Sequence, residues 1–115
     1  MRRGDIRLVD LEPVRGAETN KQRPAIIVSN DGANSTAERL GRGVVTVVPV
    51  TSSIERVYPF QVLLVAHDTG LAADSKAQAE QVRSIAVERI GPQVGTLSAQ
   101  LQAALDEALR LHLAL

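Results

Sequence analysis

RGAETNKQRPAIIVSN, residues 15–30, joins a polar, turn-rich loop to a run with no polar side chain. Arg15, Lys21 and Arg23 crowd into that loop. Pro24 then ends it, and Ala25-Ile26-Ile27-Val28 reads as a strand that is apolar on both faces, as a central strand of a sheet must be. An arginine at the mouth of a core is costly to desolvate without a partner, so Arg23 needs a reason to be there. From the residue alone, a strand-end cation paired with Glu18 or Asp10 is reason enough.

The flanking sequence extends the pattern in both directions. Residues 4–11 (GDIRLVDL) read as a strand with Ile6 and Leu8 on one face and Arg7 and Val9 on the other. Residues 12–24 form a long connection marked by Pro13, Gly16, Asn20 and Pro24, of a length that often carries function. Residues 31–43 (DGANSTAERLGRG) read as polar turn material, and the charged part, 37–42, as a solvated turn. VVTVVPVTS (44–52) is β-branched almost throughout and predicts a strand, with Pro49 marking an edge or a bulge. YPFQVLLVA (58–66) predicts another strand, with Phe60 in the core. Residues 67–79 read as a loop, and 80–91 as a strand broken into two. Arg83 shares the parity of Ile85 and Val87, so it belongs near a rim or beside a bulge.

After Gly95, which reads as a hinge, the period changes. Leu101, Leu105, Ala108, Leu109 and Leu113 fall on one helical stripe, and Ser98 is a suitable N-cap. Several short strands followed by one helix predict a mainly β domain, 1–115, with a curled antiparallel sheet or small barrel and the C-terminal helix laid against it.

Composition sets limits. Hydrophobic residues make up 44% of the 115, with one Tyr, one Phe and no Trp, so aliphatic side chains must build the core. The absence of Cys removes disulfides, thiolate metal sites and a cysteine nucleophile, and fits a reducing cytoplasm. No apolar run approaches a membrane span, and MRRGDIRLVD lacks the apolar segment of a secretory signal, so neither a membrane nor export is expected. The formal net charge is zero, so any polyanion must be met by locally concentrated charge. The first 23 residues concentrate it: Arg2, Arg3, Arg7, Arg15, Lys21 and Arg23 against Asp5, Asp10, Glu12 and Glu18.

GDIRLVDLEPVRGAETNKQRPAIIVSN (4–30) resembles the opening of the MazF/PemK-type toxin endoribonucleases: a Gly-Asp, an apolar strand, Asp-hydrophobic-x-Pro, a Gly-Ala-Glu loop, then Arg-Pro and an apolar strand ending in Ser-Asn. VPVTSS (48–53), QVRSIAVERIG (81–91) and VGTLS (94–98) follow in the family's order. The resemblance implies an SH3-like barrel with an appended helix, assembled as a homodimer. It implies cleavage of single-stranded RNA without metal or other cofactor, by attack of the ribose 2′-OH on the adjacent phosphorus, giving a 2′,3′-cyclic phosphate and a 5′-OH. It also implies a cognate antitoxin whose extended segment occupies the RNA groove.

Arg23 and Thr51 match the family's catalytic arginine and threonine. Glu18 matches the glutamate of the loop, able to act as base or to position Arg23. Arg15, Lys21, Ser52, Gln81 and Arg83 are the candidate RNA contacts. A threonine of ordinary acidity is a poor base, so Thr51 is expected to position and donate. His67 and His112 fall in no matching segment and read as surface residues, which leaves a two-histidine mechanism without support. With Tyr58 and Phe60 the only aromatics, binding is expected to rely on arginine stacking, phosphate contacts and base-edge hydrogen bonds. The loop from Thr51 to Phe60 departs from the family's pattern, so no recognised sequence carries over. Two other readings stay open: a gyrase-inhibiting toxin on the same barrel, and a silent module that binds RNA and antitoxin without cutting.

Overall fold

A computed structural model describes residues 1–11 and 22–115. The elements run β1 (Asp5–Asp10), β2 (Gln22–Ile27), α1 (Asp31–Leu40), β3 (Val44–Thr51), β4 (Gln61–Leu64), α2 (Ala66–Thr69), β5 (Ser75–Gln78), β6 (Arg83–Ala86), β7 (Ile90–Thr96) and α3 (Ala99–Leu113). Single 3₁₀ turns at Ala79–Gln81 and Val87–Arg89 flank β6. The described strands form an antiparallel sheet in the order β4-β5-β3-β2-β1-β7, with β6 also on β3. It is the mainly β fold with a C-terminal helix that the sequence predicts.

β3 is the spine. One of its edges pairs with β2. The other pairs with β6 over Val44–Val47 and with β5 at Val50 and Thr51. Pro49 falls between these two stretches. It therefore marks a gap in the pairing of a central strand, and neither a sheet edge nor a bulge is needed to house a residue without an N–H.

Alternation along the strands separates two clusters of buried side chains. Ile6, Ile26, Val48 and Val50 share one face with Leu105 and Ala108 of α3. Val9, Ala25, Ile27, Val45 and Val47 share the other with Ala37 of α1. The opposite facing of Ile6 and Val9 is as expected, and β2 is buried on both sides. Ser98 caps α3 by accepting from the Leu101 N–H at 3.2 Å. The helical stripe buries Leu105 and Ala108 but runs out at Leu113, which is 49% exposed.

Several local expectations fail, each for a physical reason. Residues 31–40 are a helix where turn chemistry predicted none. Asn30 caps its start, accepting from the Ala33 N–H, and Gly41 closes its end at φ 66°. α1 docks through an amide instead of a leucine. The fully buried Asn34 donates to the Ser29 carbonyl at 2.8 Å and bonds the Ser29 hydroxyl, whose oxygen accepts from the Thr46 N–H.

Residues 75–78 are a strand within the predicted 67–79 loop, and α2 forms one further turn there. Lys76 disguised β5: its side chain is 9% exposed, and its ammonium donates to the Arg56 carbonyl at 2.6 Å. β4 begins only at Gln61, because Tyr58–Phe60 form a turn closed by the Gln61 N–H on the Tyr58 carbonyl. Phe60 is accordingly half-buried beside Tyr58 and outside both core clusters. The 80–91 segment divides, as expected, into β6 and the start of β7. Gly95 lies within β7 and is no hinge.

Arg3 ties the periphery together. Its N–H donates to Asp31, its Nε to the Val28 carbonyl at 2.9 Å and its Nη2 to Asp106 of α3 at 2.8 Å. Burial alone would raise the Asp106 carboxyl. The hydrogen bonds from Arg3 and Gln102 and the charges of Arg3 and Arg110 outweigh it and hold that carboxyl below its ordinary value.

A carboxyl lowered by folding stabilises the fold above its unfolded value and loses that contribution as the pH falls through its folded one. Asp106→Asn is therefore expected to lower the urea midpoint at neutral pH. The difference from wild type should shrink as the pH drops through and below the carboxylate range. At Gly95, a Cβ would lie 2.2 Å from the Thr69 carbonyl oxygen. Gly95→Ala is expected to cost about 1–3 kcal/mol of stability through overpacking, read from the same denaturation curves.

Candidate active site

The antiparallel register carries polar residues to one place. Val9 pairs with Arg23 on β2, and Ala25 with Pro49 on β3. Two residues further along each strand, that register sets Arg23 across from Thr51. Thr51 in turn pairs with Lys76 on β5, and Lys76 with Leu63 on β4. Directly opposed residues project to the same side of a sheet. Arg23, Thr51 and Lys76 thus form a row on the face opposite α3, past the apolar patch that α1 covers.

Two adjoining hollows flank this row, of about 320 and 230 Å³. Arg23, Val50 and Thr51 line both. The first is completed by Leu11, Pro49, Gln78, Gln81 and Arg83, the second by Ser52, Ser75 and residues 71–73. Among the described residues lining them there are two arginines and no carboxylate.

Arg23 is exposed at the start of β2, where Pro24 fixes the next φ. Its guanidinium makes no hydrogen bond or ion pair with another described residue. The cation at the mouth of the core is thus left with its donors directed to the cleft instead of being spent on a described acid. The Thr51 hydroxyl oxygen accepts from the Ser53 N–H at 3.2 Å. That bond uses a lone pair and leaves the hydroxyl proton for a ligand. Arg83 stands at the start of β6, the rim that its parity demanded. Its Nη1 donates to the Leu11 carbonyl at 3.1 Å, which fixes the guanidinium beside the first hollow. Gln81 is exposed on the 3₁₀ turn, and Ser52 is exposed just past β3.

The structure therefore brings Arg23, Thr51, Ser52, Gln81 and Arg83 together. Glu18, Arg15 and Lys21 lie outside the described residues. His67 pairs with Asp68 at 3.1 Å in an exposed turn, His112 is exposed on α3, and neither lines the cleft. Sequence reading missed Gln78, because β5 was read as loop. The alternation of Lys76 and Gln78 with Ala77 and Ala79 is the signal that could have found it.

Chemically, the cleft offers fixed positive charge, a hydroxyl donor and amides. That set suits an anionic, hydrogen-bonding ligand, and guanidinium forks match phosphate oxygens.

Comparison with known proteins agrees with this geometry. The chain is 67% identical over 113 residues to endoribonuclease MazF9 of Mycobacterium tuberculosis, covering 98% of this chain and 96% of that one. Among solved structures, the Mycobacterium tuberculosis toxin MazF-mt6 superposes with a TM-score of 0.77 at 27% identity, over 96% of this chain and 97% of that one. The MazE–MazF structure from Deinococcus radiodurans gives 0.78 at 26% identity, over 100% and 96%. The model of the PemK-like, MazF-like toxins of type II toxin–antitoxin systems matches residues 2–113, and the chain belongs to that family.

Proposed function

We propose that the protein is the toxin of a type II toxin–antitoxin system and that its cleft cleaves single-stranded RNA. One observation carries the reading: Arg23 and Thr51, distant in sequence, line the same two hollows, and no described carboxylate does. The curated relative at 67% identity is named an endoribonuclease, which supports the same assignment.

The reaction needs help at three points: removal of the 2′-OH proton, stabilisation of the extra charge on the phosphorane-like transition state, and departure of the 5′-oxygen. In this reading Arg23 meets the non-bridging oxygens as their charge grows. Thr51 donates its free hydroxyl proton to one of them, or orients the 2′-OH. Arg83, Gln81 and Ser52 hold the strand on either side, with Arg15 and Lys21 adding phosphate contacts from the loop. Glu18 of that loop takes the 2′-OH proton or positions Arg23. Attack by the 2′-oxygen forms the new P–O bond and breaks the bond to the 5′-oxygen, which takes a proton from water, leaving a 2′,3′-cyclic phosphate and a 5′-OH. No step calls for a metal or cofactor.

The same reading makes residues 1–115 one toxin domain, working as a homodimer in the cytoplasm. Its antitoxin lays an extended segment in the RNA groove; the solved Deinococcus radiodurans neighbour is itself a MazE–MazF structure. Among the described residues no helix is long and apolar enough to cross a membrane.

Incubation with mixed single-stranded RNA in excess EDTA tests the activity, and mapping of the cut ends tests the chemistry. Arg23→Ala is expected to lower the rate about 10²–10³-fold, the usual loss for one preorganised donor. Arg23→Lys should recover little, because an ammonium lacks the planar fork. Thr51→Val removes one charge-assisted hydrogen bond at constant shape, and a loss of about 10- to 100-fold is expected. Undiminished cleavage by Arg23→Ala would end the assignment.

A further inference from the structure

The connection from Ser53 to Phe60 follows the cleft residue Ser52, and the reaction chemistry gives it no role. It holds the two aromatic rings of the protein, and they are parallel: the Tyr58 and Phe60 centroids lie 5.3 Å apart with an interplanar angle of 3°. Tyr58 is 40% exposed. The guanidinium carbon of Arg56 lies 5.4 Å from the Tyr58 centroid, and Arg56 Nη1 donates to the tyrosine hydroxyl at 3.1 Å.

Lys76 fixes this group relative to the row. Its backbone pairs with Thr51, its ammonium holds the Arg56 carbonyl, and the same ammonium lies 6.0 Å from the Tyr58 centroid. The ring therefore lies beyond the tip of the Lys76 side chain, on the face that carries the row, and outside the two hollows. Tyr58 is also pinned from below, because its N–H donates to Gln61 Oε1 at 3.1 Å and Gln61 Nε2 bonds Glu80.

We propose that Tyr58, backed by Phe60 and with the Arg56 guanidinium over its ring, is the seat on which one unpaired nucleobase of the bound strand stacks, away from the scissile phosphate. The inference rests on the ribonuclease reading of the cleft and adds to it a substrate-binding subsite. Backbone and amide bonds alone would hold the loop, so packing does not require a large aromatic surface kept in solvent. A rigid ring beside a guanidinium has a use there. Bases stack on aromatic faces whatever their identity, and a guanidinium plane extends the stack or donates to a base edge. Only a base that is already unpaired can reach such a seat, which would contribute to selection of single strands. The sequence reading had Phe60 in the core and little stacking capacity. That reading left Tyr58 as the remaining stacking candidate, and the structure sets Phe60 behind it.

Stacking on a seat remote from the reacting bonds strengthens ground state and transition state alike, so its loss should raise KM and spare kcat. The test uses a short single-stranded RNA spanning a cleavage position mapped with wild type. A copy with 2′-deoxyribose at that position reports binding by fluorescence anisotropy. Tyr58→Ala is expected to raise both KM and the Kd for the deoxy copy by about 5- to 100-fold. Its kcat should stay within about threefold of wild type. Tyr58→Phe, which keeps the face and loses the hydroxyl, should behave as wild type, and Arg56→Ala should fall between them. Tyr58→Leu, which keeps bulk without a π face, should match Tyr58→Ala and serves if the alanine variant does not fold. The proposal is overturned if Tyr58→Ala and Tyr58→Leu bind and cleave as wild type, if only kcat falls, or if Tyr58→Phe is as impaired as Tyr58→Ala. If wild type cuts no RNA, so that no position can be mapped, the catalytic reading falls instead, and the same variants measured for binding to an unmodified single-stranded RNA still decide the seat.

Discussion

The pairing of β2 with β3 is the constraint on which the rest depends. Because Ala25 faces Pro49, the charged start of one strand meets the hydroxyl-bearing end of the other. A slip of one residue would turn the apolar positions of β2 from one cluster toward the other and move Arg23 off the row. Burial on both faces resists such a slip, since Ala25, Ile26 and Ile27 are all fully buried. The core thus does chemical work indirectly. Beyond lending Val50 and Leu11 to the walls, it sets the register that makes a cleft out of two strand ends.

A formally neutral protein can then present a cationic surface, because the same register concentrates charge. Arg23 and Arg83 share a hollow with no described acid on its wall, while other charges neutralise one another elsewhere: Arg3 with Asp106, Arg110 with Glu107, and the N-terminal amine with Glu38. Local placement, and not net charge, decides what a surface of this size attracts.

Much of this was legible in the sequence. Alternation announced β1, a run apolar on both faces β2 and a β-branched run β3, a change of period announced α3, and the parity of Arg83 announced its rim position. Arg23 and Thr51 were singled out by resemblance, and the sheet brings them together. The parts that could not be read share a cause: polar residues performing structural tasks. α1 is written in turn-forming residues because it docks through the Asn34 amide, and β5 hides behind a lysine whose charge is satisfied by a backbone carbonyl. Hydrophobic periodicity is blind to both, although Asn30 and Gly41 bracket the helix as caps should. Phe60 failed in the opposite sense, an apolar residue that packs a ring in a turn.

The division of the sheet into two faces has a further consequence. α3 and its cluster lie on one side and the row of Arg23, Thr51 and Lys76 on the other, with Val50 and Leu71 the members of that cluster that also line the hollows. Side chains of α3 that line neither hollow are separated from Arg23 and Thr51 by the sheet, so repacking there couples weakly to them. Rigidity and chemistry are to that extent separate properties of one small chain. The outer surface of the helix can change without moving the strand register that sets Arg23 against Thr51.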